Sequence, residues 1–168
     1  PVAEPNLEEV LVSARRRLQD KQETDISLSV ISQNDTRRLG ISQLQDTAAM
    51  IENVSLFEDF SGAGIPTWVI RGVGLQDFNS NNSPTAAVYY DESYQTATVM
   101  GAAGLFDFQQ IEILKGPQGG LYGRNTSGGA VLLNSNRASL DDNQAFVSAG
   151  YSSWQTTAVE AFTNRIIN

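Results

Sequence analysis

The sequence predicts an α+β fold, a small mixed-sheet domain with short helices followed by an antiparallel β-hairpin. Three observations carry this. Short β-branched and aromatic runs recur along the chain, each bounded by Gly, Pro, Asn or Asp. The helical signals between them are brief, with capping residues close to their stops. Beyond Ala138 the pattern changes to alternation of apolar and small or polar residues over two consecutive segments.

Residues 1–25 are polar and charged apart from Val10, Leu11 and Val12, with two prolines near the start, and predict an extended, mobile arm. Ile26, Leu28 and Val30 alternate with Ser27 and Ser29, as in a strand with one buried face. Asn34-Asp35 caps a helical turn that Gly40 ends, and Ser42 with Gln45 makes a capping box for a helix to about Glu52. The glycines and acids of 54–65 predict a loop. Thr67-Trp68-Val69-Ile70 reads as a buried strand, with Trp68 in the core, broken by Arg71-Gly72-Val73-Gly74. Leu75 to Pro84 has almost nothing to bury and predicts an exposed loop, whereas 95–104 is ambiguous. Ala86 to Tyr90 and Ile111 to Leu114 predict further strands. In the last segment Ala145, Val147, Ala149 and Tyr151 alternate with Phe146, Ser148 and Gly150, Ser153-Trp154 turns the chain, and Val159 and Ala161 alternate with Glu160 and Phe162. This fits a transmembrane β-hairpin and a soluble amphipathic hairpin equally.

Composition narrows the function. Nineteen acidic against 11 basic residues give a net charge of −8, which repels a phosphate backbone and argues against nucleic-acid binding. Arg15-Arg16-Arg17, the one basic run, has no interleaved aromatic residues and reads as solvated. With no Cys and no His, thiol nucleophiles, disulfides, Ser-His-Asp triads and nearly every zinc geometry are excluded. A Ser nucleophile with Lys21 or Lys115 as base lacks the Ser-x-x-Lys spacing, and Asp91, Glu92 and Asp107 lack the spacing of a calcium loop. The chain is therefore expected to be no enzyme and to need no metal or cofactor. No run approaches the ~18 apolar residues of a membrane-spanning helix. Pro1-Val2-Ala3-Glu4 lacks the charged and apolar regions of an export signal, so a mature, processed start is expected.

The glycines at 116, 119, 120, 123, 128 and 129 suggest a phosphate-cradling loop, but no GxxxxGK[ST] is present and Pro117 removes an amide such a loop would use. They are expected to supply tight turns instead. The full wording from Ile111-Glu112-Ile113-Leu114-Lys115-Gly116-Pro117 through Leu121-Tyr122-Gly123-Arg124-Asn125-Thr126-Ser127-Gly128-Gly129-Ala130 resembles the plug motif of TonB-dependent outer-membrane receptors. Ile70-Arg71-Gly72-Val73-Gly74 and Ser83 to Asp91 agree in order, with Glu92 standing where that family usually has Gly. Glu8-Glu9-Val10-Leu11-Val12-Ser13-Ala14 resembles the TonB box, an extended segment that adds to a strand of the periplasmic protein TonB.

The resemblance implies an arm (1–25), a plug domain (26–138) and the first two strands (139–168) of a β-barrel that is otherwise absent from the chain. It implies a plug that blocks the pore in the outer membrane of a Gram-negative bacterium, with the arm in the periplasm. The work would be energised uptake of a large scarce nutrient: a siderophore with its iron, haem, cobalamin or a glycan. Glu9, Val10, Leu11, Val12, Ser13 and Ala14 would bind TonB. Arg71 and Arg124 would lock the plug to carboxylates of the barrel, with Glu112 as an internal partner for either. Gln76, Asp77, Phe78, Asn79, Asn81, Asn82, Tyr94 and Gln95 would lie on loops facing an unknown small-molecule or glycan ligand. A stand-alone soluble plug-like binding module in the periplasm is the alternative reading.

Overall fold

The computed structural model describes residues 10–17, 19–41, 44–58, 66–75, 82–96, 107–153 and 156–166. They fall into two compact units, Pro1–Ser135 and Asn136–Asn168. The first contains β1 (Leu11–Val12), β2 (Gln19–Asp20), a 3-10 turn (Lys21–Glu23), β3 (Leu28–Ser32), α1 (Gln33–Leu39) and α2 (Leu44–Ala49). These are followed by β4 (Val54–Glu58), β5 (Pro66–Ile70), β6 (Ala86–Tyr90), β7 (Ser93–Tyr94), β8 (Phe108–Lys115), α3 (Gly119–Tyr122) and β9 (Gly129–Ser135). Five strands form one mixed sheet in the order β3-β8-β9-β6-β7, in which β6 and β9 run parallel and the other pairs antiparallel. The α+β, mixed-sheet expectation holds.

Period-two alternation on these strands builds two cores, one on each face of the sheet. Ile31, Ile111, Ile113, Val131, Leu133 and Ala86 pack beneath α2 and the β4–β5 hairpin, with Leu44, Ala48, Ile51, Val54 and Trp68. Their neighbours Leu28, Val30, Leu114, Ala130, Leu132, Ala87 and Tyr89 point the other way, into a second cluster closed by Val12, Ala14 and Tyr122.

Local chemistry sets the helix ends. α1 begins at a capping box: Ser32 Oγ accepts from the Asp35 amide while the Asp35 carboxylate accepts from the Ser32 amide. The Ser32 hydroxyl and amide hold the Asp35 carboxyl below its usual pKa. Gly40, at φ 67°, ends the helix. α2 stops short of the expected Glu52, because the Met50 and Ile51 amides turn back three residues to the carbonyls of Thr47 and Ala48; Ser42 and its neighbour Gln43 lie outside the described residues. The stretch from Val54, expected to be loop, is strand β4 as far as Glu58. Five residues of β5 pair with it in antiparallel register, a contact no local pattern displays.

Two connections are two-residue turns with both central residues at positive φ, the twist-matching type I′ arrangement: Arg71-Gly72 between Ile70 and Val73, and Asp91-Glu92 between β6 and β7. Glu92 at φ 67° thus adopts the backbone that glycine would supply there without a Cβ penalty. Glu92→Gly is expected to stabilise the domain by about 0.5–1 kcal/mol, read as a rise in thermal midpoint. A lower midpoint overturns this account of the turn. Gly116, at φ +104°, and Gly123, at φ +73°, bend the chain between β8 and β9, where the Gly116 amide donates to Gly128 O and Gln118 to Thr126 O. The glycines act as turns, as expected.

The second unit is a hairpin of β10 (Gln144–Ser152) and β11 (Thr156–Asn164), paired antiparallel from Gln144↔Asn164 to Ser152↔Thr156. Ala145, Val147, Ala149 and Tyr151 share one face with Val159 and Ala161, and Val147, Tyr151 and Val159 are exposed. The other face stacks Phe146 on Phe162, with centroids 6.0 Å apart, and carries Glu160 opposite Ser148.

Candidate functional site

Residues 10–14, expected as part of a mobile arm, are docked. Val12 and Ala14 are fully buried in the second core, and Leu11 points outward. Apolar alternation explains the seat: even-numbered side chains close the open face of the sheet, and odd-numbered ones do not. Backbone bonding divides in the same way. Val10 O accepts from the Lys21 amide, so the even residues face β2, while in an antiparallel pair the intervening residues aim their amides and carbonyls at the opposite edge. A turn closed by the Arg16 amide donating to Ser13 O, with Arg16 itself at φ 57°, ends the segment.

The outer edge is met by side chains of the sheet. Glu112, wholly buried near the middle of β8, accepts from the Ser13 amide at 2.9 and 3.0 Å and from Ser13 Oγ at 2.8 Å. Gln110 Nε2 donates to the same carboxylate at 2.8 Å and to Leu11 O at 3.0 Å. Asn134 Nδ2 donates to Glu112 at 2.8 Å and to Ser13 Oγ at 3.2 Å. A buried carboxylate without such donors would be costly. Here four donor groups, and no cation among the described residues, surround it. Tyr122 Oη donates to Ala14 O at 3.0 Å. Burial, reinforced by the nearby Glu112, pushes the Tyr122 phenol well above its usual pKa, so it remains a donor. The Arg16 guanidinium lies 5.5 Å from the centre of the Tyr122 ring.

Other expected site residues are dispersed. Glu112 serves Ser13 rather than either arginine, because strand alternation turns it with Gln110 and Leu114 towards the second face. Arg71 is exposed in its turn, donates to Ser27 Oγ at 2.7 Å and lies over Gly116. Arg124 is exposed in the turn after α3 and forms no ion pair among the described residues. Glu9, Gln76, Asp77, Phe78, Asn79 and Asn81 lie outside the described residues. Asn82 is half-buried. Tyr94 is not on an open loop: it belongs to β7, packs 5.5 Å from the Tyr89 ring and accepts from Asn125 Nδ2, while Gln95 donates its amide to Val88 O. Sequence reasoning passed over Gln110, Asn134 and Tyr122. Two of them carried a signal: Gln110-x-Glu112-x-Leu114 and Ala130-x-Leu132-x-Asn134 each place polar groups in line with apolar core residues. Among the described residues no group of acids is arranged to hold a metal ion.

Comparison with known proteins agrees with this geometry. Residues 20–130 match the model of the TonB-dependent Receptor Plug Domain. The pesticin receptor of Yersinia pestis is 26% identical over 125 residues, which cover 74% of this chain and 18% of the receptor, so the chain spans under a fifth of that relative. The crystal structure of the ferric yersiniabactin uptake receptor from Yersinia pestis superposes with a TM-score of 0.69 at 23% identity, covering 81% of this chain and 21% of that one. The ferripyoverdine receptor of the outer membrane of Pseudomonas aeruginosa does so with a TM-score of 0.73 at 17% identity, covering 92% and 20%. These relatives are receptors, not enzymes, and their setting is the Gram-negative outer membrane. The mixed sheet with its short helices and glycine-turned β8–β9 connection is accordingly a plug, and the chain belongs to the TonB-dependent receptor plug domain family.

Proposed function

We propose that this plug gates a β-barrel in the outer membrane for TonB-energised uptake of a scarce nutrient, and that residues 10–14 are the segment TonB engages. The observation that carries the reading is the seat of Val10–Ala14, an extended strand that closes the second core yet is joined to the sheet only through β2 and a few side chains. It lies ahead of the family match, so its assignment rests on its own geometry and on the physics of strand addition. Exposed Arg71 and Arg124 are available to barrel carboxylates. The hairpin suits the first two barrel strands: its charge-free face with Val147, Tyr151 and Val159 would meet lipid, and Glu160 on the other would face the lumen. Relatives named for ferric yersiniabactin and ferripyoverdine favour an iron–siderophore complex as cargo.

The test is binding of the TonB C-terminal domain to the intact receptor carrying Leu11→Pro or Val12→Pro. Leu11→Pro removes an amide from the outer edge and Val12→Pro one from the β2 edge. Loss of binding in either variant is expected and identifies the edge used. Undiminished binding in both, or none in the wild type, overturns the assignment.

A further inference from the structure

Strand addition requires free backbone groups along one edge of the added segment. In the docked state both edges of residues 10–14 are occupied. β2 takes the even residues. On the odd side the Leu11 carbonyl accepts from Gln110 Nε2 and the Ser13 amide donates to Glu112. Gln110 and Glu112 are two residues apart on β8, and Leu11 and Ser13 two apart on the docked strand, so the side chains repeat at the spacing a neighbouring strand's backbone would have. Asn134, opposite Gln110 on β9, braces Glu112 from the far side.

We propose that Gln110 and Glu112 are a side-chain substitute for a β-strand that keeps the outer edge of residues 10–14 closed to partners, an autoinhibitory contact built into the sheet. The inference rests on the reading of that segment as the TonB-pairing strand. A partner strand forms its bonds on this edge only when the segment has left Glu112 and Gln110. The apparent affinity for that partner then scales with the fraction of molecules in which the segment is released.

The experiment measures affinity of the TonB C-terminal domain for the intact, ligand-free receptor. Glu112→Gln keeps the size of the side chain but replaces one acceptor oxygen with a donor that faces the Ser13 and Asn134 donors. Gln110→Ala frees Leu11 O without altering the buried carboxylate. Each is expected to tighten binding about tenfold, the effect of losing one hydrogen bond of this kind. Ile31→Val, which thins the opposite core and touches neither residue, should leave affinity unchanged. Nitroxide mobility at Leu11→Cys provides a second readout and should rise in Glu112→Gln and Gln110→Ala but not in Ile31→Val. Unchanged affinity in both clasp variants overturns the inference, as does an equal gain from Ile31→Val. If Leu11→Pro and Val12→Pro both bind as wild type, it is the strand assignment that fails, and the two failures are thereby distinct.

Discussion

Gly129→Ala is expected to lower the thermal midpoint of the plug by roughly 10 °C, the effect of about 3 kcal/mol on a domain of this size. Gly129 opens β9 opposite Lys115, where the central strands approach most closely. A Cβ there would lie 2.2 Å from Leu114 O and 2.8 Å from Ile70 Cδ1, and both residues are fully buried. The first of these atoms belongs to a backbone fixed in the sheet ladder, so relief requires displacing β8 rather than rotating a side chain. Gly119→Ala is the matched control. Nothing lies within 4 Å of its Cβ position, and its midpoint should stay within the change of about 0.5 kcal/mol typical of surface sites. Circular dichroism melts of the two variants decide the matter, and equal midpoints would show that the Gly129 approach is not tight.

Glu112→Ala is expected to cost about 3 kcal/mol and to release residues 10–14. The truncation leaves a cavity in the second core and strips the Ser13 amide of its partner, together with one bond each of Gln110 and Asn134. Unpaired buried donors cost about 1–3 kcal/mol apiece unless water reaches them. Release has a direct chemical readout, because Arg15, Arg16 and Arg17 follow the docked strand as adjacent trypsin sites. Cleavage there samples the open fraction, so the rate should rise at least tenfold. Cleavage of Glu112→Ala at the wild-type rate would mean that apolar contacts of Val12 and Ala14, not the carboxylate, hold the strand.

The parts of this fold legible in the sequence are those whose cause is local. Ala86–Tyr90 coincides with its strand because five consecutive small, branched and aromatic residues admit little else. The glycines from 116 to 129 declare turns because backbone freedom is a property of the residue itself. β4 was hidden, since Val54–Glu58 includes Ser55 and Glu58 and is held by pairing with β5. The candidate site was half visible. Alternation identified residues 10–14 as a strand-like segment, but its docking depends on Glu112, 99 residues away from Ser13, and such a contact leaves no mark in either neighbourhood. Glu112 itself was conspicuous, a lone carboxylate amid Ile111, Ile113 and Leu114. An arginine partner was the natural expectation for it; the sheet instead supplies an amide, a hydroxyl and two carboxamides.

The antiparallel arrangement of β1 and β2 also has a mechanical meaning. Val10 lies opposite Lys21 and Val12 opposite Gln19, so the chain enters and leaves this small hairpin at the same open end. A load applied ahead of Val10 and resisted beyond Lys21 therefore reaches the bonds in series: first Val10 with Lys21, then Val12 with Gln19, and last the contacts of Ser13 with Glu112. The strand peels instead of shearing, and the force it bears at any moment is that of one or two hydrogen bonds, while the five-stranded sheet behind it stays unloaded until the peel reaches β8.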